Sequence, residues 1–101
     1  MAKKTAEQLR KEIVELEKQL DVAEKLDNEA SENVAVALDD EAVAIGETNQ
    51  HATIHSYKEL ARTRRVLFGC QKKSYQTLKH YNALQEKKWA RMRQLDKLEE
   101  A

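Results

Sequence analysis

Near the start of the chain, Leu9, Ile13, Leu16, Leu20 and Ala23 are separated by steps of four, three, four and three residues. This alternation keeps one stripe of side chains on one side of an α-helix and is the seam of a coiled coil. It predicts a first helical arm over residues 5–45. Thr5-Ala6-Glu7-Gln8 marks its start, because Thr5 can accept from the Gln8 N–H while the Gln8 side chain reaches back to the Thr5 N–H, a capping box. Extended further, the seam runs through Asp27, Ala30, Val34 and Ala37 and fades at Glu41.

Residues 33–46 read in two ways. Val34, Val36 and Leu38, then Val43 and Ile45, alternate with alanines about Asp39-Asp40-Glu41, the pattern of a small β-hairpin with an acidic turn. The alanines favour helix, since alanine is the best helix former and an alanine face packs poorly in a hairpin. Helix is therefore the expectation. Gly46 then ends the arm as a left-handed residue, residues 46–48 make the turn, and Thr48 or Asn49 caps the second arm.

The second arm, residues 49–100, carries a broader stripe. Leu60, Leu67, Tyr81 and Leu95 fall on one seven-residue row, and Ala61, Phe68, Tyr75 and Trp89 on the row beside it. This is wider than a two-stranded seam needs, so a further neighbour is implied. Gly69 interrupts it at a cost of about 1 kcal/mol relative to alanine. A break there would give a three-helix bundle, whereas a continuous arm gives a long hairpin; the continuous arm is the expectation.

Composition agrees with a helical chain. The 101 residues include no proline, 5% aromatics and 36% charged side chains, and they are dominated by good helix formers. The fold class is all-α: one domain over residues 1–101, an elongated antiparallel helical hairpin or coiled coil. A chain this short leaves little room for a large catalytic cleft. Its longest apolar runs have five residues, far below the roughly 20 of a membrane span, so no membrane insertion is expected. The N-terminal residues lack the apolar stretch of a secretory signal. A lone Cys70 fits a reducing compartment, cytoplasm or nucleus.

Charge is split between the halves. Residues 1–50 hold six bases against thirteen acids, a balance of −7, and residues 51–101 hold twelve bases against five acids, a balance of +7. With the turn at 46–48, antiparallel pairing sets Leu38 near Ile54, Leu26 near Leu67, Leu20 near Tyr75, Leu16 near Leu78 and Leu9 near Leu84. The same register brings Asp27, Glu29 and Glu32 toward Arg62, Arg64 and Arg65. Exposed ion pairs contribute about 0.2–1 kcal/mol each, enough to select register while the apolar seam supplies stability. The second arm is the longer one, so its end is expected to overhang with Trp89, Met92 and Leu95 uncovered. Tyr75, Tyr81, Trp89, Met92 and Leu95 are the candidate contacts for protein partners or for self-association through the C-terminal helix, because aromatic and methionine side chains dominate interfaces.

Candidate chemistry is sparse. His51 and His55 are four residues apart, with Glu59 next in the row, a spacing that can chelate a transition metal. The metalloprotease form needs a glutamate directly after the first histidine, and Ala52 stands there. Solvated histidines near the hairpin tip are the expected outcome, with no metal and no cofactor. Cys70, in an apolar stretch, reads as a packing residue, and no enzymatic activity is expected. Basic clusters at Arg62, Arg64 and Arg65, at Lys72 and Lys73, and from Lys87 to Arg93 offer nucleic-acid binding as an alternative, if the C-terminal clusters act free of the acidic arm.

Two helices around the short alternating Val/Ala segment are similar to prefoldin-type chaperone subunits. That resemblance implies helical arms flanking β-hairpins and a holdase-like role. Glu41-Ala-Val-Ala-Ile-Gly-Glu-Thr resembles part of a vesicle-fusion coiled-coil helix, although Asn49, Thr53 and Ser56 interrupt the seam such a helix needs. The expected function is a non-enzymatic protein–protein interaction module, a coiled-coil adaptor or structural subunit of a multiprotein assembly.

Overall fold

The computed structural model describes residues 4–100 as two long helices, α1 (Ala6–Gln50) and α2 (Ile54–Glu100), folded antiparallel into a body of 72 × 21 × 17 Å. No strand occurs among the described residues, so residues 33–46 are helix. α1 opens with the expected capping box: the Gln8 N–H donates to Thr5 Oγ1 at 3.2 Å and the Thr5 N–H donates to Gln8 Oε1 at 3.0 Å. α2 runs unbroken through Gly69.

The turn is at 51–53, not at 46–48. Gly46 lies inside α1 on its outward side, with open space around it and no positive φ. A solvent-facing glycine costs the helix about 1 kcal/mol and ends nothing by itself. The seam carries on past it, because Ala44 and Thr48 are buried and the Thr48 hydroxyl donates to the Ala44 carbonyl at 2.8 Å. The stronger stop comes later. Thr53 caps α2 by accepting from the Ser56 N–H at 3.1 Å, and the Thr53 N–H donates to Ser56 Oγ at 2.9 Å. The Ser56 hydroxyl also reaches the His51 carbonyl at 2.9 Å, tying the end of one helix to the start of the next.

Moving the turn by five residues moves every α1 residue's partner by about ten along α2. Leu20 meets Leu84 and Tyr81 in a cluster with Ala23 and Leu16, rather than Tyr75. Thr77 Oγ1 lies 3.0 Å from Asp27 Oδ1, and Thr48 Oγ1 lies 3.4 Å from the Ser56 carbonyl. In each of these layers the two residue numbers add to 104, and the rule extends along the whole seam. On α1 the seam is Leu9, Ile13, Leu16, Leu20, Ala23, Asp27, Ala30, Val34, Ala37, Glu41, Ala44 and Thr48. It does not fade at Glu41, which is half-buried and paired with Arg64.

The facing seam on α2 steps by three and four through Leu60, Thr63, Leu67, Cys70, Ser74, Thr77, Tyr81 and Leu84, all buried or half-buried. It is built largely from small residues. Opposite it, Ala23, Ala30, Ala37 and Ala44 recur every seventh position and are each at most 5% exposed. Small side chains at the contact let the axes approach toward the near end of the usual 8–10 Å range. The leucines Leu9, Leu20, Leu60, Leu67 and Leu84 supply most of the buried apolar area.

The charge pairing also has other members. Arg64 Nε sits 3.4 Å from Glu41 Oε2, Arg62 pairs with Glu59 on its own helix at 4.0 Å, and Arg65 turns to the Ala61 carbonyl. Asp27 is occupied by Thr77, while Glu29 and Glu32 are exposed, so the six residues expected to pair do not meet. The cause is the shifted register. The overhang is absent for the same reason: α1 has 45 residues and α2 has 47, and Arg10 Nη2 binds Glu99 Oε1 at 2.6 Å across the open end.

Candidate protein-interaction face

A hairpin of two helices has a seam and two flanks. The flanks are distinguished here by the shallow grooves beside the seam. One groove is bordered by Arg10, Val14, Met92 and Asp96. The opposite one is bordered by Leu26, Lys73 and His80, and nearer the turn by Asp40, Val43, Glu59 and Val66. Stepping in sevens from Met92 places Leu78 and Tyr57 on the first flank, and stepping from Asp96 places Trp89, Tyr75, Phe68, Ala61 and Ile54 there as well. From α1 the same flank receives Val14, Leu38, Ala42 and Ile45.

Every exposed Phe, Tyr and Trp ring of the described residues is therefore on one flank: Tyr57, Phe68, Tyr75 and Trp89. They are not marginal, since Phe68 is 71% and Tyr75 67% exposed. Single exposed apolar side chains are ordinary on protein surfaces, whereas apolar side chains aligned along one flank form a candidate contact surface. The opposite flank holds Val22 with Leu26 in one groove and Val43 with Val66 in another, among charges, with His80 and no Phe, Tyr or Trp ring.

Of the five residues expected as contacts, Tyr75, Trp89 and Met92 lie on the aromatic flank. Tyr81 and Leu95 do not. Tyr81 packs against the Leu20–Ala23–Leu84 cluster, with its hydroxyl accepting from Gln85 Nε2 at 3.0 Å, and Leu95 is half-buried beside Ile13 in the groove wall. Tyr57, Phe68, Leu78 and Leu38 share the aromatic flank and were not among the residues expected as contacts. The available signal was that Phe68, Tyr75 and Trp89 share a seven-residue row beside, not within, the row of small seam residues.

Charge frames this flank. The outward row of α2 is Lys58, Arg65, Lys72, Lys79, Glu86 and Arg93, all exposed, and the outward row of α1 nearest the turn offers Glu32 and Asp39. At the open end of the opposite flank, in the row of Gln19 and Leu26, Glu12 gathers Lys4 and Arg91. The Lys4 hydrogen bond, with the positive charges of Lys4 and Arg91, holds the Glu12 carboxyl below the usual carboxylate range, against a smaller opposing effect of desolvation. Arg91 Nε stands 2.9 Å from Glu12 Oε2 and contributes there mainly through its charge.

His51 is the C-cap of α1, whereas His55 and Glu59 belong to the first turns of α2. The three do not share one helical face, and among the described residues no three His, Cys, Asp or Glu side chains cluster with metal-ligating geometry. Cys70 is half-buried in the seam. No described helix is long and apolar enough to cross a membrane. No family model matches the chain, and no curated protein or solved structure matches it.

Proposed function

We propose that this chain is a non-enzymatic protein–protein interaction module, a coiled-coil adaptor or structural subunit that works in the cytoplasm or nucleus by offering the aromatic flank of a rigid hairpin. The observation that carries the reading is the alignment of Tyr57, Phe68, Tyr75 and Trp89 on one side of a continuous α2. Rings held on a preformed helix lose little freedom on binding and bury large areas, so they suit a contact surface. The test is a comparison of tagged wild type with Phe68→Glu/Tyr75→Glu in native extract. A discrete protein retained by the wild type and released by the variant, with helical circular dichroism unchanged, supports the reading; an identical retained set for both removes it.

One observation favours a second reading. Lys58, Arg65, Lys72 and Lys79 form an exposed basic row along α2, the kind of ridge that follows a phosphate backbone. Its signature is RNA or DNA binding that weakens steeply between 50 and 200 mM salt and that survives the Phe68→Glu/Tyr75→Glu change.

A further inference from the structure

We propose that a second copy of this chain covers the aromatic flank, with a two-fold axis running along the hairpin so that both turns lie at the same end of a four-helix bundle. The inference rests on the interaction reading above and names its occupant.

Area is the first argument. The chain exposes 7980 Å², whereas a compact protein of 11.7 kDa exposes about 5,900 Å². The excess of about 2,000 Å² is more than the roughly 800 Å² per partner that a stable interface covers. A two-helix body with alanines as much of its core is also the kind of scaffold that needs a neighbour.

The distribution of polarity sets the orientation. Over its turn half the aromatic flank is mainly apolar, with Ile45 of α1 nearly level with Tyr57 of α2 and Leu38 nearly level with Phe68, and with Arg64 and Gln71 as the polar members of the α2 row. Toward the open end, α1 places Glu17, Asp21 and Glu24 on that same side. A two-fold axis across the hairpin would lay the acidic patch of one copy on the apolar half of the other. An axis along the hairpin lays the two turn halves apolar on apolar and sets the acidic patch against the α2 stretch with Leu78, Gln85 and Trp89.

Rim charges select the same axis. Because residues level with each other add to 104, Asp39 is level with Arg65 and Glu32 with Lys72. The long-axis arrangement stacks α1 of each copy on α2 of the other and brings these acids beside those bases, twice by symmetry. Lys18 and Glu86 are matched in the same way, while Lys25 with Lys79 and Lys11 with Arg93 are like-charged, so contact is closest near the turn. The crosswise arrangement would set the basic rows of the two α2 helices together. Rim charges of this kind govern orientation and partner choice, and the buried rings govern affinity.

Three measurements test the proposal on the full chain. Sedimentation equilibrium at micromolar concentration should give twice the 11.7 kDa mass, falling to the monomer mass in Phe68→Glu/Tyr75→Glu. Asp39→Arg should weaken the dimer at least tenfold, with Arg65→Asp in the same chain restoring it. In Cys70→Ser/Ala52→Cys, spin labels at the two turns should lie roughly 20–40 Å apart, as in packed bundles with helix axes about 10 Å apart. A label separation near the 72 Å length of the body overturns the orientation. A monomer that still captures another protein through the aromatic flank overturns the second copy and leaves the interaction reading standing; a monomer that captures nothing sinks both.

Discussion

Replacing one leucine at a time separates the observed register from the one that a turn at Gly46 would produce. Leu20 and Leu26 lie on the same helix, and hydrophobic spacing gives both a partner on α2. In the structure Leu20 is 7% exposed and packs in the Leu84 and Tyr81 layer, whereas Leu26 is 47% exposed on the flank away from the aromatic rings. Truncation to alanine removes about three methylene equivalents at about 0.8 kcal/mol each, or about 2.4 kcal/mol when the side chain is fully buried. A modest cavity term brings Leu20→Ala to about 3 kcal/mol, and half-exposure holds Leu26→Ala near 1 kcal/mol. For a chain of this size 1 kcal/mol moves the midpoint by about 4–8 °C, so Tm should fall by about 12–24 °C and 4–8 °C respectively. Thermal melts followed at 222 nm, at matched protein concentration, measure both. Equal losses, or a larger loss at Leu26, would refute the register.

The remaining predictions concern the helix interiors, the cap and the open end. Gly46 and Gly69 both have open space where a Cβ would stand and neither has a positive φ, so Gly46→Ala and Gly69→Ala should each raise stability by about 0.5–1 kcal/mol in a denaturant titration. A loss at either would mean the backbone there is not helical. Thr53→Ala removes the acceptor for the Ser56 N–H and should cost about 1 kcal/mol, measured by the same titration. Glu12 has a lowered pKa in the folded chain, so its stabilising effect is present above its unfolded pKa and is lost as pH falls through the lower folded value. Glu12→Gln should therefore narrow the stability gap between neutral and acid pH, and an unchanged acid limb of the pH–stability curve would count against the Lys4–Glu12–Arg91 cluster.

Much of α1 was legible in the sequence because its seam is written in leucine and isoleucine and its start in Thr5 and Gln8. Continuity through Gly69 was the expectation over a break there, and α2 runs unbroken through it. The α2 seam was harder to read. Thr63, Cys70, Ser74 and Thr77 are small or polar and lie level with Glu41, Val34, Ala30 and Asp27 of α1, so a search for apolar periodicity passes over them and settles on the aromatics beside them. Those aromatics form the exposed flank, not the core. The turn was misplaced because Gly46 is a stronger visible signal than Thr53 and Ser56, although only the latter pair supplies hydrogen bonds to both helix ends. Once the turn moved, the charge partners and the overhang moved with it.

The arrangement of the aromatic flank depends on the register, and one covalent probe reads that register directly. Val34 and Cys70 share a seam layer by the same rule that joins Asp27 to Thr77 and Leu20 to Leu84. Val34→Cys should therefore form an intramolecular disulfide with the native Cys70 under mild oxidation, a bridge that needs the two Cα atoms within about 7 Å. Mass spectrometry of the oxidised monomer should show the loss of two hydrogens and a cross-linked peptide pair. Val34→Cys/Ala61→Cys in a Cys70→Ser background, the pairing required by a turn at 46–48, should stay reduced. The opposite result, a bridge to position 61 and none to Cys70, would contradict the register and with it the face derived from it.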